Sequence, residues 1–347
     1  MEAQKNRVMR VAVLGAGLIG KERIKALDIL KKRGKLIDLV GIYDPFSTQI
    51  DSICKEYLTK SLKSLQQVIE LKPDWTIVAI PHNEILPTAL PLLDSSLKIL
   101  IEKPLGRNVK ETSEIISHAK FDGQLAVGFN YRFFEGIRKA ISDTSEGKFG
   151  EVISLNLYLG HGGDPKLTTS WKFDQEKAGG GCLLDPGIHL FDLAQLLFND
   201  ELHVIKAIGW NGFWKTGIEE ESSILLMSNK SLITIQVSVV KWKSTFRMEI
   251  NGTDGYGIVT GRGRSYGPQT YIRGKRWGWL SGKTQSESEE RIIESNGDDV
   301  FADELDALFF NSAQYGVMPC NPREALSNME LWEATIKHLE LIQEKQL

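Results

Sequence analysis

The fold is decided by VAVLGAGLIG, residues 11–20, in which a short apolar run leads directly into three closely spaced glycines. A continuous apolar run is typical of a strand covered on both faces, and G-x-G-x-x-G after such a strand opens the helix of a dinucleotide-binding unit. The first glycine permits a tight turn, the second lets the backbone approach a pyrophosphate, and the third packs helix on strand. We therefore predict a phosphate-binding turn at a helix N-terminus. Its residues are Gly15, Gly17, Leu18, Ile19 and Gly20.

An acidic residue ends the next apolar run. Asp44 stands 24 positions after Gly20, where an acid can accept hydrogen bonds from the adenosine ribose hydroxyls. Its charge would repel a 2′-phosphate, and residues 45–48 contain no arginine to neutralise one, so the sequence favours NAD over NADP. The alternative interpretation is that Asp44 only caps a turn before Pro45.

Residues 1–129 alternate between two periodicities. Continuous apolar runs predict strands at residues 8–14, 36–43, 75–80, 99–101 and 125–129. Helical spacing lies between them at residues 18–30, 62–69 and 109–119, the last with Asn108 as N-cap and Glu111 three residues on. Strand–helix–strand repetition predicts right-handed crossovers and a doubly wound parallel sheet. We assign residues 1–129 to an NAD-binding Rossmann domain.

The pattern changes after Gly150. Runs with period two then follow one another with few helices between them, which indicates a mostly antiparallel, open-faced sheet in an α+β domain. The runs are residues 151–159, 204–210, 223–227, 232–240 and 246–250. Helical patterns cover residues 186–197, the residues after Asp299 and residues 324–343, and residues 251–283 predict a hairpin plus a loop. The predicted fold class is therefore α/β plus α+β, with residues 130–347 as a substrate-binding and oligomerisation domain.

Composition excludes several classes of protein. Of 347 residues, 41% are hydrophobic and 25% charged, as in ordinary globular proteins, and the net charge of −3 argues against a nucleic-acid partner. Three cysteines without a CxxC pair or zinc spacing predict a reducing compartment and no metal site. Residues 1–8 hold no apolar signal segment, and residues 75–93 contain Glu84 and three prolines. We therefore expect a cytoplasmic protein with no membrane segment.

Two segments carry reactive side chains. Glu102-Lys103-Pro104 follows a predicted strand, at the edge where doubly wound sheets bind ligands, although a surface ion pair at a strand end is the alternative. In the second segment Asp185 is the predicted helix N-cap with Pro186 at the first helical position. His189 and Asp192 follow at spacings that let all three side chains face one way. The alternative is that Asp185 merely caps and His189 is a half-buried helix histidine.

Taken together, these segments resemble the Gfo/Idh/MocA family of nicotinamide-dependent oxidoreductases, which includes sugar, inositol and nucleotide-sugar dehydrogenases. The resemblance covers nearly the whole chain. It rests on residues 15–20, 80–81, 102–104, 128–133, 171–192, 251–255 and 301–305. The sequence departs from the family pattern at His82, where asparagine is usual, at Ile85, where a histidine is expected, and at Arg23, which replaces a frequent histidine.

The resemblance implies an NAD-dependent dehydrogenase or reductase acting on CH–OH groups of a sugar, cyclitol or sugar derivative, assembled as a homodimer or homotetramer. The implied catalytic residues are Lys103, Asp185 and His189, with the imidazole exchanging the proton and the ammonium polarising the reacting oxygen. The implied cofactor contacts beyond the glycine turn and Asp44 are Ile80, Pro81, His82, Glu102 and Lys103. The implied substrate contacts are Lys103, Arg132, Trp171, Asp185 and His189. A cis bond before Pro104 is also implied.

Other interpretations stay open at this point. Residues 256–283 interleave six basic with five aromatic side chains and contain no acid, which suits a phosphate-bearing or nucleotide-linked sugar. A solvated hairpin or part of a subunit interface is the alternative, and the sequence favours it. The whole protein could also be a dinucleotide-binding regulator or scaffold without catalysis. A reductase of a non-sugar carbonyl or imine is a third possibility, because fold alone does not fix chemistry.

Overall fold

The computed structural model describes residues 7–198, 200–275, 289–295 and 299–342. The first elements are β1 (Met9–Leu14), α1 (Leu18–Lys32), β2 (Ile37–Tyr43), α2 (Ile50–Glu56), β3 (Ser61–Leu62), α3 (Leu65–Leu71), β4 (Trp75–Val78), α4 (His82–Asp94), β5 (Ile99–Glu102), α5 (Val109–Ser117) and β6 (Leu125–Gly128). There follow α6 (Glu135–Ser145), β7 (Val152–Gly160), α7 (Gln175–Ala178), α8 (Ile188–Leu197), β8 (His203–Trp210), β9 (Glu221–Met227), β10 (Leu232–Ser238), β11 (Thr245–Gly252), β12 (Gly255–Thr260), β13 (Gln269–Lys275) and β14 (Glu289–Ser295). The last elements are α9 (Val300–Phe310), α10 (Pro322–Lys337) and β15 (Leu339–Ile342).

The chain divides into two compact units. The first unit runs up to Asn130 and includes Asp299–Leu326, and the second comprises the described residues of Tyr131–Asp298 and those from Ser327 onward. Residues 299–326 thus pack with the first unit because α9 lies against α1, and Ala302 and Leu305 enter the same core as Ile24 and Leu27. The functional division into residues 1–129 and 130–347 stays a prediction.

The first unit is built on a parallel sheet. Among the described residues its six strands stand in the order β3-β2-β1-β4-β5-β6, and every pairing is parallel. The residues of β4, β5 and β6 are all buried, because helices cover both faces. The predicted doubly wound sheet is confirmed. The strand order reverses between β1 and β4, which is where such sheets bind ligands at their carboxyl ends.

Local details of the first unit correct the sequence analysis in part. The helical pattern predicted over residues 62–69 begins later, since Leu62 belongs to the short edge strand β3 and α3 starts after the N-cap Ser64. Helix α5 begins as predicted: the Asn108 side chain accepts a hydrogen bond from the backbone N–H of Glu111 at 2.9 Å. Periodicity did not reveal α2, because seven residues form barely two turns.

The second unit is built on a mixed, mostly antiparallel sheet, as predicted. Over the described residues its nine strands stand in the order β14-β13-β12-β11-β7-β10-β9-β8-β15. The β10–β7 and β15–β8 pairs are parallel, and the other pairs are antiparallel. The last predicted helix, residues 324–343, is too long: α10 ends at Lys337, and residues 339–342 pair with β8 instead.

Of two further predictions for the second unit, one is wrong and one is confirmed. Helix α8 begins at Ile188 with Gly187 as N-cap, so placing Asp185 at the N-cap and Pro186 at the first helical position was wrong. The hairpin predicted within residues 251–283 is confirmed by the antiparallel pair β12–β13, while residues 276–283 lie outside the described residues. None of the described helices has the length and apolar character needed to span a membrane.

Candidate active site

In the turn after β1, a side chain could be added at Gly17 but not at Gly15 or Gly20. Gly15 has a φ of +92°, and a Cβ there would lie 2.1 Å from the carbonyl oxygen of Ala79. A Cβ at Gly20 would lie 2.0 Å from the carbonyl oxygen of Gly15, whereas one at Gly17 would meet nothing within 4 Å. Packing therefore requires Gly15 and Gly20, and the surface at Gly17 is open to close approach by a ligand.

The N-terminus of α1 is suited to an anion. Gly17 is the N-cap, no side chain caps the helix, and the first turn contains no acidic residue. The first N–H groups of the helix and the positive end of its dipole are thus directed at the open space beside Gly17. Leu18, at the start of the helix, is 74% exposed, which is unusual for a leucine next to a buried strand. These residues fit the pyrophosphate of a dinucleotide.

Asp44 holds the glycine turn as well as its own turn. Its Oδ2 accepts the backbone N–H of Ala16 at 2.7 Å, and its Oδ1 accepts those of Phe46 at 2.9 Å and Ser47 at 3.0 Å. The capping role considered for Asp44 is therefore present. Since each carboxylate oxygen can accept more than one hydrogen bond, the predicted ribose contact stays open to test. Sequence reasoning missed Phe46, whose ring is 84% exposed beside this carboxylate.

The remaining predicted cofactor residues lie at the same carboxyl edge of the sheet. Ile80 and Pro81 follow β4, and a Cβ at Gly15 would touch the Ile80 side chain at 3.2 Å. His82 opens α4 and is buried, while Lys103 follows β5 and is half-buried. The bond before Pro104 is cis, as the resemblance implied. Ends of β1, β2, β4 and β5 thus supply the predicted cofactor residues.

A buried arginine lies directly behind Glu102. The Arg23 Nε donates to Glu102 Oε1 at 2.5 Å, and Arg23 Nη1 forms an ion pair with Glu304 Oε2 at 2.6 Å. The guanidinium also lies over the ring of Phe301, 4.8 Å from its centroid. Burial by itself lowers the pKa of Arg23, but the two carboxylates outweigh it and raise the pKa. Glu102, a predicted cofactor contact, is therefore held by a permanent cation.

In the second unit Asp185 forms an ion pair that sequence reasoning missed. The Lys172 Nζ donates to Asp185 Oδ2 at 2.6 Å, and the bond from Asp185 to Pro186 is cis. The negative charge of Asp185 raises the pKa of Lys172. Trp171 opens a 3-10 turn, and the Lys172 ammonium lies 5.7 Å from its ring centroid. Trp171, Lys172 and Asp185 therefore form one cluster of half-buried side chains.

His189 is held by an aromatic stack. It is the second residue of α8, is buried, and lies face to face with Tyr131, with ring centroids 3.8 Å apart and an interplanar angle of 8°. Burial raises the pKa of Tyr131, so its hydroxyl stays protonated near neutral pH. The stack fixes the plane of the imidazole, which a proton-transferring histidine needs.

Asp192 does not share a face with Asp185, because Asp185 lies outside the helix. It accepts two hydrogen bonds from Arg132, at 2.8 Å from Nε and 2.5 Å from Nη2, and a third from Asn328 at 2.8 Å. Arg132 is 2% exposed. This buried pair ties α8 to the segment that carries Tyr131. Substrate contact by Arg132 stays a prediction.

A buried carboxylate fixes the glycine-rich segment before Asp185. Glu219 Oε1 accepts the N–H groups of Gly181 at 3.0 Å and Leu183 at 3.2 Å, and the Glu219 carbonyl accepts that of Cys182 at 2.9 Å. A Cβ at Gly181 would lie 2.3 Å from the Glu219 carbonyl oxygen, which explains a glycine there. Burial raises the pKa of Glu219. No local pattern connects residues this far apart.

Residues 256–283, the basic stretch, include an arginine that forms ion pairs and several residues that the structure does not describe. Arg273 pairs with Asp143 at 3.0 Å and with Glu290 at 2.7 Å, which supports the hairpin interpretation there. Arg276, Trp277, Trp279 and Lys283 lie outside the described residues. Within the described part of the chain, no three His, Cys, Asp or Glu side chains are grouped as a metal ion requires. The prediction of no metal stays a prediction.

Comparison with known proteins places the chain among oxidoreductases. Residues 9–129 match the oxidoreductase family with an NAD-binding Rossmann fold, and residues 137–257 match the GFO/IDH/MocA C-terminal domain. Glucose-6-phosphate 3-dehydrogenase of Bacillus subtilis is 27% identical over 195 residues, covering 55% of this chain and 54% of that protein. The chain thus spans about half the length of that curated relative.

Solved structures share the fold at low identity. A levoglucosan dehydrogenase in complex with NADH matches with a TM-score of 0.79 at 17% identity, over 96% of this chain and 97% of that one. A 3-ketoreductase from Actinomadura kijaniata, in complex with NADP and TDP-benzene, matches with a TM-score of 0.79 at 17% identity, over 97% and 99% of the two chains. At this identity the likeness establishes the fold alone.

A Rossmann unit with an open phosphate turn and a second unit on a mixed sheet are the two parts of the chain that the family models match. Both family models match in their expected order along the chain. The protein belongs to the Gfo/Idh/MocA family, as the sequence segments indicated.

Proposed function

We propose that the protein is an NAD-dependent oxidoreductase that transfers a hydride between nicotinamide and a secondary alcohol or ketone of a sugar, cyclitol or sugar derivative. The observation that carries the proposal is the open backbone at Gly17, at the point where the strand order of the parallel sheet reverses. Family membership supplies the reaction class. Turnover of a sugar panel with NAD, measured by NADH absorbance, tests it.

The roles of the side chains follow from the chemistry of alcohol oxidation. Bound NAD supplies the hydride acceptor, and the protein supplies position and proton transfer. His189 takes the hydroxyl proton in oxidation and returns it in reduction, with its ring plane fixed by Tyr131. Lys103 polarises the reacting oxygen. Asp185, already paired with Lys172, orients the substrate by a hydrogen bond.

Substitution of Gly17 tests the phosphate turn. In Gly17→Ala the added Cβ meets no protein atom within 4 Å, so the variant folds with an unchanged Tm. The methyl group occupies the space that a pyrophosphate needs, and we expect NADH to bind at least ~10-fold more weakly, about 1.4 kcal/mol. Fluorescence titration with NADH and thermal unfolding measure the two effects.

The contrasting variant is Gly20→Ala, whose Cβ would lie 2.0 Å from the Gly15 carbonyl oxygen. It should lower the Tm as well as NADH affinity, since the helix must move off the strand. If Gly17→Ala bound NADH as tightly as the wild type, the phosphate would not lie at this turn.

Asp44 sets the choice of cofactor. We expect the wild type to use NAD with a kcat/KM at least ~10-fold above that for NADP, since the carboxylate repels a 2′-phosphate. Asp44→Asn should lower the ratio of the two kcat/KM values, because kcat/KM falls for NAD and rises for NADP. The matched control is Asp38→Asn, which removes an exposed acid from the same strand, β2. An unchanged ratio in Asp44→Asn would remove the ribose assignment.

We also propose a homodimeric or homotetrameric, cytoplasmic enzyme. Several apolar side chains of the second sheet are exposed in the single chain, as a subunit interface would require. They are Ile153, Ile205, Ile208, Met227 and Leu232. The three cysteines are buried and unbridged, which suits a reducing compartment. Light scattering in solution tests the oligomeric state.

A further inference from the structure

Arg262 is a cation held between aromatic rings in the second unit. Its guanidinium carbon lies 3.7 Å from the ring centroid of Tyr266 and 5.0 Å from that of Tyr131. Its Nε is buried and has no hydrogen-bond acceptor among the described residues, and no carboxylate of that part of the chain pairs with it. A guanidinium without a paired carboxylate is suited to an anion supplied from outside, because charge-assisted hydrogen bonds to such an anion are strong.

The loop that presents Arg262 is preorganised. Gly261, Gly263 and Gly267 all have positive φ, and the Gly263 N–H donates to the Gly267 carbonyl at 2.8 Å. The Gly261 N–H donates to the carbonyl of Phe246 in β11 at 3.1 Å, and a Cβ at Gly261 would lie 2.0 Å from the Pro268 carbonyl oxygen. The arginine is therefore fixed by its backbone as well as by the two rings, unlike an arginine on a mobile surface loop.

Neighbouring charged groups are already balanced. Lys172 is neutralised by Asp185 at 2.6 Å. Burial, opposed by Asp185 and assisted by Arg262 and Lys172, lowers the pKa of His161, so this imidazole is neutral near pH 7. The guanidinium of Arg262 is thus a positive charge in this cluster that lacks a counter-charge among the described residues.

Arg262 also lies within reach of a substrate at His189. The Tyr131 ring that Arg262 covers is the ring that stacks on His189, 3.8 Å between centroids. The guanidinium carbon lies 5.0 Å from the Tyr131 centroid, and that centroid lies 3.8 Å from the imidazole centroid. The distance from guanidinium to imidazole cannot exceed the sum of these two, which is within the length of a substituted hexose. A planar guanidinium can bind a carboxylate or phosphate through two parallel hydrogen bonds.

We infer that the substrate carries an anionic group, a carboxylate or a phosphate, and that Arg262 binds this group and selects against neutral sugars. The inference rests on the proposed function and narrows its substrate class to acidic sugars.

The experiment is a calorimetric titration of the NADH-bound protein with D-glucose, D-glucose 6-phosphate and D-glucuronate. We expect at least one of the two anions to bind at least ~10-fold more tightly than glucose, because hydrogen bonds between ionised groups are stronger than neutral ones. The better anion tells phosphate from carboxylate. Arg262→Gln should abolish the preference, and Arg262→Lys, which keeps charge but not the planar fork, should retain part of it.

The matched control is Arg264→Gln, an exposed arginine of the same loop, which should keep the wild-type preference. Equal affinities for the three sugars, no binding by any of them, or a preference that survives in Arg262→Gln would overturn the inference. If Arg262→Gln does not fold, Arg262→Lys decides, because an undiminished preference in that variant would overturn the inference. NADH binding and turnover of neutral sugars would persist if only this inference failed, and would be absent if the proposed function failed.

Discussion

Replacement of His189 by alanine is expected to lower kcat by about 10²–10⁴-fold while NADH binds as in the wild type. The imidazole is the proton acceptor in the proposed oxidation, and the hydroxyl of the stacked Tyr131 stays protonated near neutral pH. Lys103→Ala should show a loss of the same order, because the reacting oxygen is then no longer polarised. Steady-state kinetics with the best sugar of the panel and NADH fluorescence titration separate catalysis from cofactor binding.

Two controls accompany these variants. His203→Ala removes an exposed histidine of β8 and should leave kcat unchanged. His189→Gln keeps a polar, planar side chain next to Tyr131 but has no basic nitrogen. We expect it to have a higher Tm than His189→Ala and an equally low kcat. Full turnover by Lys103→Ala would end the assignment of that residue.

The second large effect is expected from Arg23→Met, in stability. The substitution leaves the carboxylates of Glu102 and Glu304 buried without their cation, and breaking a buried ion pair in this way costs about 3–5 kcal/mol. The loss of unfolding free energy should become smaller as the pH is lowered. In the variant the buried carboxylates bind protons more readily in the folded than in the unfolded chain, so protonation favours the folded state. Urea unfolding at two pH values measures both effects.

Arg33→Met is the matched control, because Arg33 also pairs with two carboxylates, Asp303 at 2.6 Å and Asp299 at 3.0 Å, but Arg33 itself is exposed. Such exposed pairs contribute about 0–1 kcal/mol. Arg23→Met combined with Glu102→Gln and Glu304→Gln should recover much of the loss. Equal destabilisation by the Arg23 and Arg33 variants would show that the buried cluster has no special role.

The sequence was informative wherever local spacing determines structure. The glycine turn, the order of strands and helices around it, and the Asn108 cap follow from residues within one or two turns of each other. The same holds for the mostly antiparallel second sheet, because period-two runs are visible in single strands. These features required no knowledge of partners elsewhere in the chain.

The contacts that hold the reactive side chains were beyond sequence reasoning because their partners are distant. Arg23 was noted only as an unusual residue, since Glu304 lies 281 positions away. Asp192 was placed by helical spacing beside Asp185, but its partner Arg132 belongs to another segment, and Asp185 precedes the helix. Spacing predicts which side chains can share a face and cannot predict which are buried together.

The most direct test is the appearance of NADH when the wild-type protein is mixed with NAD and a panel of neutral, phosphorylated and carboxylated sugars and cyclitols. We predict turnover of at least one member, with kcat lowered about 10²–10⁴-fold in His189→Ala and in Lys103→Ala. Tight NADH binding without turnover of any member would contradict the dehydrogenase proposal and favour a dinucleotide-binding regulator.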